Sequence, residues 1–302
     1  MPICHFGPRP WVRAERERLA ALRFEKIGVT PLGATLGAEL SGVDLAGLEQ
    51  AELDHATFEE IRRAFDEYKV IFFRDQAIST AAHLAFAERF GPLEEHPFLD
   101  AKPGYENIVE FAKSESVVGV ENTWHHDVTW RLRPSLGSVL RAVEVPPVGG
   151  DTLFADMVAA YEGLDDATKA RIEDAVAVHD FSHSFGLMMS PEKLAAFQEQ
   201  YPPARHPVVR THPRTGRRCL YVNAIFTSHI EGLERAESDE LLDHLFRQAD
   251  VPEYQCRFRW QKNSIAFWDN VAVQHYAVSD YDPEVRLMER VTVIGEEVAP
   301  PA

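Results

Sequence analysis

Two histidines and a carboxylate stand where a folded chain can bring them to one metal ion. In the run Thr123-Trp124-His125-His126-Asp127-Val128-Thr129-Trp130, His125 and Asp127 lie two residues apart in a β-favouring, aromatic-flanked segment. Successive strand side chains point to opposite faces, so a strand here presents His125 and Asp127 together and sends His126 the other way. A third donor stands far downstream, His275 in Phe267-Trp268-Asp269-Asn270-Val271-Ala272-Val273-Gln274-His275-Tyr276. The three make a 2-His-1-carboxylate facial triad, a set that suits iron(II) and leaves positions open for cosubstrate and oxygen. Two histidines and an aspartate also suit zinc with an open water position, so a zinc hydrolase stays open at this point, as does a cupin-like binding protein without catalysis.

Further residues narrow the chemistry. Arg286 and Arg290 follow His275 in Arg286-Leu287-Met288-Glu289-Arg290-Val291-Thr292-Val293. On a strand they share a face, either solvated on an edge strand with surface salt bridges or turned inward, where two guanidinium groups need anions because an unpaired buried charge is costly. The planar fork of arginine holds a carboxylate or sulfonate in fixed orientation. Gly149-Gly150-Asp151-Thr152 places a hydroxyl just beyond a glycine turn, and Trp124, Trp130, Phe185, Phe226 and Trp268 are available either to wall a dry pocket or to fill core.

The elements that must position these groups can be read from pattern. Short strand-like runs over Glu25 to Thr30 and Ala34 to Leu40 precede an amphipathic helix at Glu52 to Tyr68, a buried strand at Val70 to Phe73 and a helix capped by Ser79 that runs to about Phe90. Strands are expected at Trp124 to Trp130 and Gly137 to Val145. Helices are expected at Met157 to Leu164, Ala167 to Val176 and Pro191 to Gln200. Strands return at Pro207 to Thr211, Cys219 to Asn223, Cys256 to Trp260, Ser264 to Trp268, Ala272 to Tyr276 and Leu287 to Ile294, with a helix at Ser238 to Ala249 among them. Strands, a helical insertion at about 156–204, then strands again is the order of a mainly β jelly roll, a cupin-like double-stranded β-helix with appended helices. Residues 1–22 read as a flexible extension and 23–298 as a single domain.

Composition removes several classes. A formal net charge of -17 argues against nucleic acid and anionic membranes as partners. No apolar stretch is long enough to span a bilayer, and Met1 to Arg18 lacks the apolar core of a secretion signal. Cys4, Cys219 and Cys256 are far apart and read as free thiols in a reducing cytoplasm.

Taken jointly, the blocks Phe72-Phe73-Arg74-Asp75-Gln76-Ala77-Ile78, Trp124-His125-His126-Asp127-Val128-Thr129, Gly149-Gly150-Asp151-Thr152-Leu153, His206-Pro207-Val208-Val209-Arg210-Thr211-His212-Pro213 and Trp268-Asp269-Asn270 through Gln274-His275-Tyr276-Ala277 resemble the taurine dioxygenase branch of the iron(II)/2-oxoglutarate-dependent oxygenases, along roughly Phe24 to Glu296. The resemblance implies iron on His125, Asp127 and His275. It implies that Thr152 and Arg286 hold the distal carboxylate of 2-oxoglutarate, with Arg290 near its other end. For the substrate it implies a sulfonate held by Arg290, His96 and the backbone of Val128, in a cavity lined by Phe185 and Phe226. Leu99 and Glu121 align where the taurine enzyme has a tyrosine and an asparagine near the substrate amine. The activity implied is hydroxylation of a small anionic substrate, taurine or a related alkylsulfonate first. Sulfite and an aldehyde would be released beside succinate and carbon dioxide. Alkyl sulfates and aryloxyalkanoic acids are the alternatives within the family. A homodimer or homotetramer is implied by the same resemblance.

Overall fold

The computed structural model describes residues 7–49, 53–117 and 121–298 of the chain. Alternation along its central strands creates two apolar faces on one sheet. That sheet has eight strands in the spatial order Gly28–Pro31, Ala38–Ser41, Val70–Phe73, Ile265–Asp269, Ser135–Glu144, Arg286–Ile294, Tyr105–Lys113 and Ala101–Lys102. Neighbours run antiparallel except Ala38–Ser41 with Val70–Phe73, which are parallel.

On the outer face Ile71, Phe73, Val139, Ile265, Phe267, Val291 and Val293 meet two helices, His55–Tyr68 and Thr80–Glu88, through Ile61, Phe65, Ala82 and Phe86. The rings of Phe65 and Phe267 stack at 4.0 Å. Both helices begin at side-chain caps, Asp54 accepting from Thr57 N–H and Ser79 from Ala82 N–H. On the inner face Phe72, Leu140, Ala266, Trp268 and Met288 pack against Phe154, Cys256, Phe258 and Val273 of a facing three-stranded sheet, ordered Gln255–Phe258, Thr152–Asp156, Val273–Ala277. Two sheets face to face, with helices outside the larger, give the expected mainly β jelly-roll core. The space between the sheets is filled at one end by side chains, and at the other it opens into the site.

Two expectations change on contact with the structure. Met1 to Phe6 lie outside the described residues, but Pro10–Ala20 is a packed helix rather than part of a loose extension. Its anchor is polar, which is why no apolar stripe announces it. Glu15 is buried and accepts hydrogen bonds from Arg18 at 2.8 Å and Arg217 at 2.8 Å, with Lys69 Nζ at 3.8 Å. The insertion is also not wholly helical. Met157–Glu162, Asp166–Ile172 and Pro191–Gln200 are helices, but the helix expected to reach Val176 stops at Ile172. Val176–His179 instead becomes the middle strand of a second three-stranded sheet, between Thr227–Ile230 and Ala204–Pro207.

Candidate active site

His275 sits on Val273–Ala277, opposite Phe154 in the facing sheet. Its backbone also meets His125. His125 N–H donates to the His275 carbonyl at 3.1 Å, and His275 N–H returns a bond to the His125 carbonyl at 2.9 Å. This bridge is isolated, and Asp127–Trp130 is a turn, so the strand expected at Trp124 to Trp130 does not form. The turn, not strand alternation, brings His125 and Asp127 to one place, while His126 is fully buried and faces the Tyr221 ring at 5.0 Å.

Val128 occupies this turn at φ 47°, a left-handed conformation that costs a β-branched residue on the order of 1–3 kcal/mol. Its neighbours impose it. Asp127 N–H donates to Asn270 Oδ1 at 2.6 Å, while Asn270 Nδ2 donates to the Asp127 carbonyl at 2.8 Å and to Ser135 Oγ at 2.7 Å. Beyond the turn His206 Nε2 donates to the carbonyl of Thr129 at 2.7 Å, and Asn223 Nδ2 donates to Thr129 Oγ1 at 3.0 Å.

Within this frame three ligand-type atoms converge. One donor atom from each of His125, Asp127 and His275 lies within 4.8 Å of the other two, and all three residues are buried. Asp127 Oδ1 is 3.7 Å from His125 Nε2 and 3.8 Å from His275 Nε2. His125 Nδ1 donates to the Thr123 carbonyl at 2.8 Å, which fixes the tautomer and leaves the Nε2 lone pair for the centre of the group. Asp127 Oδ2 accepts from Ser138 Oγ at 3.0 Å, and Oδ1 accepts from Arg290 at 3.1 Å. Burial alone pushes the Asp127 carboxyl upward, but Arg290 first, and then both histidines, more than offset it and hold the group well below the usual carboxylate range. Burial, followed by the neighbouring His125, keeps His275 from protonating until far below its ordinary value. An ionised Asp127 carboxylate and a neutral His275 imidazole are the protonation states that divalent iron requires. The donor set fits that ion.

A cavity runs from the two histidines along the inner face of the large sheet to Thr152 and Arg286. Thr152 Oγ1 accepts from Trp260 Nε1 at 2.9 Å, so its own O–H is left to donate into the cavity. Arg286 is buried, and its Nε donates to the Gly150 carbonyl at 3.2 Å. Gly150 has φ 68°, and a Cβ there would come within 3.2 Å of the Arg286 side chain, so the glycine is what lets the arginine lie flat against the turn. Arg290 lines the same cavity with its guanidinium 5.0 Å from the Phe111 ring.

The residues expected around a substrate divide. His96, Val128, Phe185 and Phe226 do gather: Phe185 lies 5.6 Å from the His96 ring and 6.1 Å from Phe226, and Val128 joins Phe226, Trp130 and Phe181 in one buried apolar cluster. His96 Nδ1 accepts the N–H groups of Phe98 and Leu99 at 3.2 and 3.1 Å, so a neutral His96 carries its proton on Nε2. Burial first, and then Arg290, hold its pKa down at about 3. Leu99 reaches His96 through its backbone, and neither it nor His96, Val128, Phe185 or Phe226 is among the residues that line the cavity at the two histidines. Glu121 does line it, but at the Arg286 end, where its Oε1 lies 2.7 Å from Lys113 Nζ. Asn270, Ser138, His206 and Asn223 escaped sequence reasoning. Asn270 and His206 carried a signal, since each lies in a block that carries the resemblance, but neither was given a role there.

Comparison with known proteins agrees with this geometry. Residues 28–292 match the family described as taurine catabolism dioxygenase TauD, TfdA family. The chain belongs to the TauD/TfdA family. Among its TauD/TfdA relatives, an alkylsulfatase of Acinetobacter baylyi is 34% identical over 280 residues, 90% of this chain and 86% of that protein. A 2,4-dichlorophenoxyacetate dioxygenase of Cupriavidus pinatubonensis, dependent on alpha-ketoglutarate, is 34% identical over 79% of this chain and 89% of its own length. The crystal structure of a taurine dioxygenase from Burkholderia xenovorans superposes with a TM-score of 0.76 at 35% identity, covering 90% of this chain and 92% of that one. This TauD/TfdA chain is an iron(II)- and 2-oxoglutarate-dependent dioxygenase.

Proposed function

We propose that the enzyme hydroxylates a small organosulfur anion, an alkylsulfonate or alkyl sulfate, with His125, Asp127 and His275 holding the iron. Iron(II) at those donors, with 2-oxoglutarate and oxygen as cosubstrates, supplies the oxidising power, and succinate and carbon dioxide are the coproducts. Thr152 and Arg286 take the distal carboxylate of 2-oxoglutarate, and the buried Gly150 turn presets the arginine for it. Arg290 stays beside Asp127 and offers its remaining donors to an anion. His96 adds a neutral Nε2–H donor, and the backbone at Val128 adds a third group.

The observation that carries this reading is the inward Arg290, fixed 3.1 Å from the Asp127 carboxylate and beside a His96 that burial first, and then the charge of Arg290, keeps neutral. An anionic head bound there puts the carbon that bears it nearest the iron. Hydroxylation at that carbon leaves an adduct whose C–S or C–O bond breaks, so sulfite or sulfate departs and an aldehyde remains. Phe185, Phe226, Val128 and Trp130 receive the rest of the molecule and exclude water. Taurine is one member of this class. Because Glu121 is engaged by Lys113 at the far end of the cavity and Leu99 brings no hydroxyl, the site favours an apolar tail over an ammonium.

Oxygen uptake with alkylsulfonates, alkyl sulfates, taurine and aryloxyalkanoates, scored by sulfite and sulfate release, tests the assignment. Turnover confined to carboxylates would remove it. We also read the enzyme as cytoplasmic and as a homodimer or homotetramer. Two buried free thiols, Cys219 and Cys256, support a reducing compartment, and no described helix is long and apolar enough to cross a membrane. Light scattering of the purified protein decides the assembly.

A further inference from the structure

The Arg286 end of the cavity holds a second cation with no part in the function described so far. Lys113 closes the strand Tyr105–Lys113 and is the direct cross-strand partner of Arg286, so both side chains leave the sheet on one face. The Lys113 side chain is only 13% exposed, and it lines the cavity with Arg286, Thr152 and Glu121. Glu121 is fixed from the opposite strand, its carbonyl accepting from Ala277 N–H at 3.3 Å, two residues beyond His275. A carboxylate therefore stands in a pocket whose cosubstrate is a dianion, close enough for its charge to act on Arg286. Lys113, 2.7 Å from that carboxylate, is what offsets it.

We propose that Lys113 and Glu121 set the affinity for the 2-oxoglutarate carboxylate in opposite directions, the lysine adding to the field of Arg286 and the glutamate subtracting from it. The proposal rests on the reading that Thr152 and Arg286 take the cosubstrate. It differs from a structural ion pair in a way that can be measured. A pair that only braces the fold loses the same contact whichever partner is removed, so both substitutions act in one direction. A pair that tunes a ligand site gives opposite signs, because one substitution removes attraction and the other removes repulsion.

The test is calorimetric titration of 2-oxoglutarate, and of N-oxalylglycine, into the full-length protein loaded with Mn(II), with thermal melting alongside. We expect Lys113→Met to raise Kd by about three- to tenfold and Glu121→Gln to lower it by a similar factor. The double variant should return near the parent value, and Lys113→Arg should keep it. Equal weakening by both single variants, or no change in either, overturns the proposal. Arg286→Gln separates the two levels. If it leaves Kd unchanged, the cosubstrate assignment itself falls, whereas if it weakens binding while Lys113→Met does not, only the role of Lys113 falls.

Discussion

Asn270 holds the turn of Asp127, the proposed metal carboxylate, in place, and Asn270→Leu measures how much. The two side chains are close in volume, so the change removes hydrogen bonds with little cavity. It strips three partners at once, from Asp127 N–H, the Asp127 carbonyl and Ser135 Oγ, all around a residue with no solvent exposure. Each buried group left unmade costs about 1–3 kcal/mol. Relaxation of the turn recovers part of the sum, because Val128 then escapes φ 47° and releases strain of about 1–3 kcal/mol. The net loss should be about 3 kcal/mol, and that same relaxation moves Asp127 away from His125 and His275. We therefore expect Co(II) affinity, read by anaerobic absorbance titration, to fall by about ten- to a hundredfold, as it does when groups that orient metal ligands are lost. Gln274→Leu is the control. Gln274 Nε2 donates to the Val222 carbonyl at 2.8 Å from the strand that carries His275, so its loss should lower stability and leave Co(II) affinity at the parent value. The reasoning fails if Asn270→Leu binds cobalt like the parent, or if Gln274→Leu loses affinity as far.

Three further outcomes follow from the same structure. Arg290→Ala should uncouple the reaction, with 2-oxoglutarate consumed at a substantial rate but substrate oxidation reduced at least tenfold. Equal succinate and product yields in the variant would refute a substrate role for Arg290. Burial holds His83 down at about 4, below the 6.5 of an unfolded histidine, so its contribution is complete above pH 6.5 and is lost as pH falls from there toward 4. The shift corresponds to about 3 kcal/mol, and guanidinium unfolding at pH 7 and pH 4.5 should show His83→Gln with a flatter pH dependence than the parent. Glu15→Ala leaves Lys69 and Arg217 without their shared carboxylate, and should lower stability by about 3 kcal/mol in urea unfolding while the metal affinity stays unchanged.

The large sheet was legible because its signal is local. Val70–Phe73 and Ile265–Asp269 read as strands from short apolar runs, and Ser79 marks a helix start by a side chain that caps its own chain, whereas the helix expected from Glu52 begins only after the Asp54 cap. His275, Arg286 and Arg290 were legible for the same reason, since each lies on a regular strand. The turn at Asp127–Trp130 was not. Its backbone is held by Asn270 and His206, 143 and 77 residues away, and its aromatic, β-branched composition favours the strand that does not form. The helix Pro10–Ala20 escaped because Glu15 docks it through partners as distant as Arg217. Glu121 shows the limit of alignment: a position matched to an amine contact can swing its carboxylate to a lysine that spacing cannot foresee.

A chain of net charge -17 that binds two anions must overcome its own field, and the structure shows how. Exposed charge is screened within about 10 Å at moderate ionic strength, whereas buried charge acts through a poorly polarisable interior. Arg286 and Arg290 are both buried on one face of one strand, two turns of the pleat apart, with Met288 between them as an apolar spacer. Along that face lie His125 and His275, so a single strand can deliver one anion to each end of the metal group. Among the described residues Asp127 occupies one guanidinium nitrogen of Arg290, and Arg286 donates through its Nε to the Gly150 carbonyl. Each arginine thus keeps donors in hand for a ligand. The same logic explains why the acidic exterior is tolerated: selectivity for anions is decided within the cavity by which cations remain uncompensated there, and Lys113 with Glu121 is the place where that balance is closest.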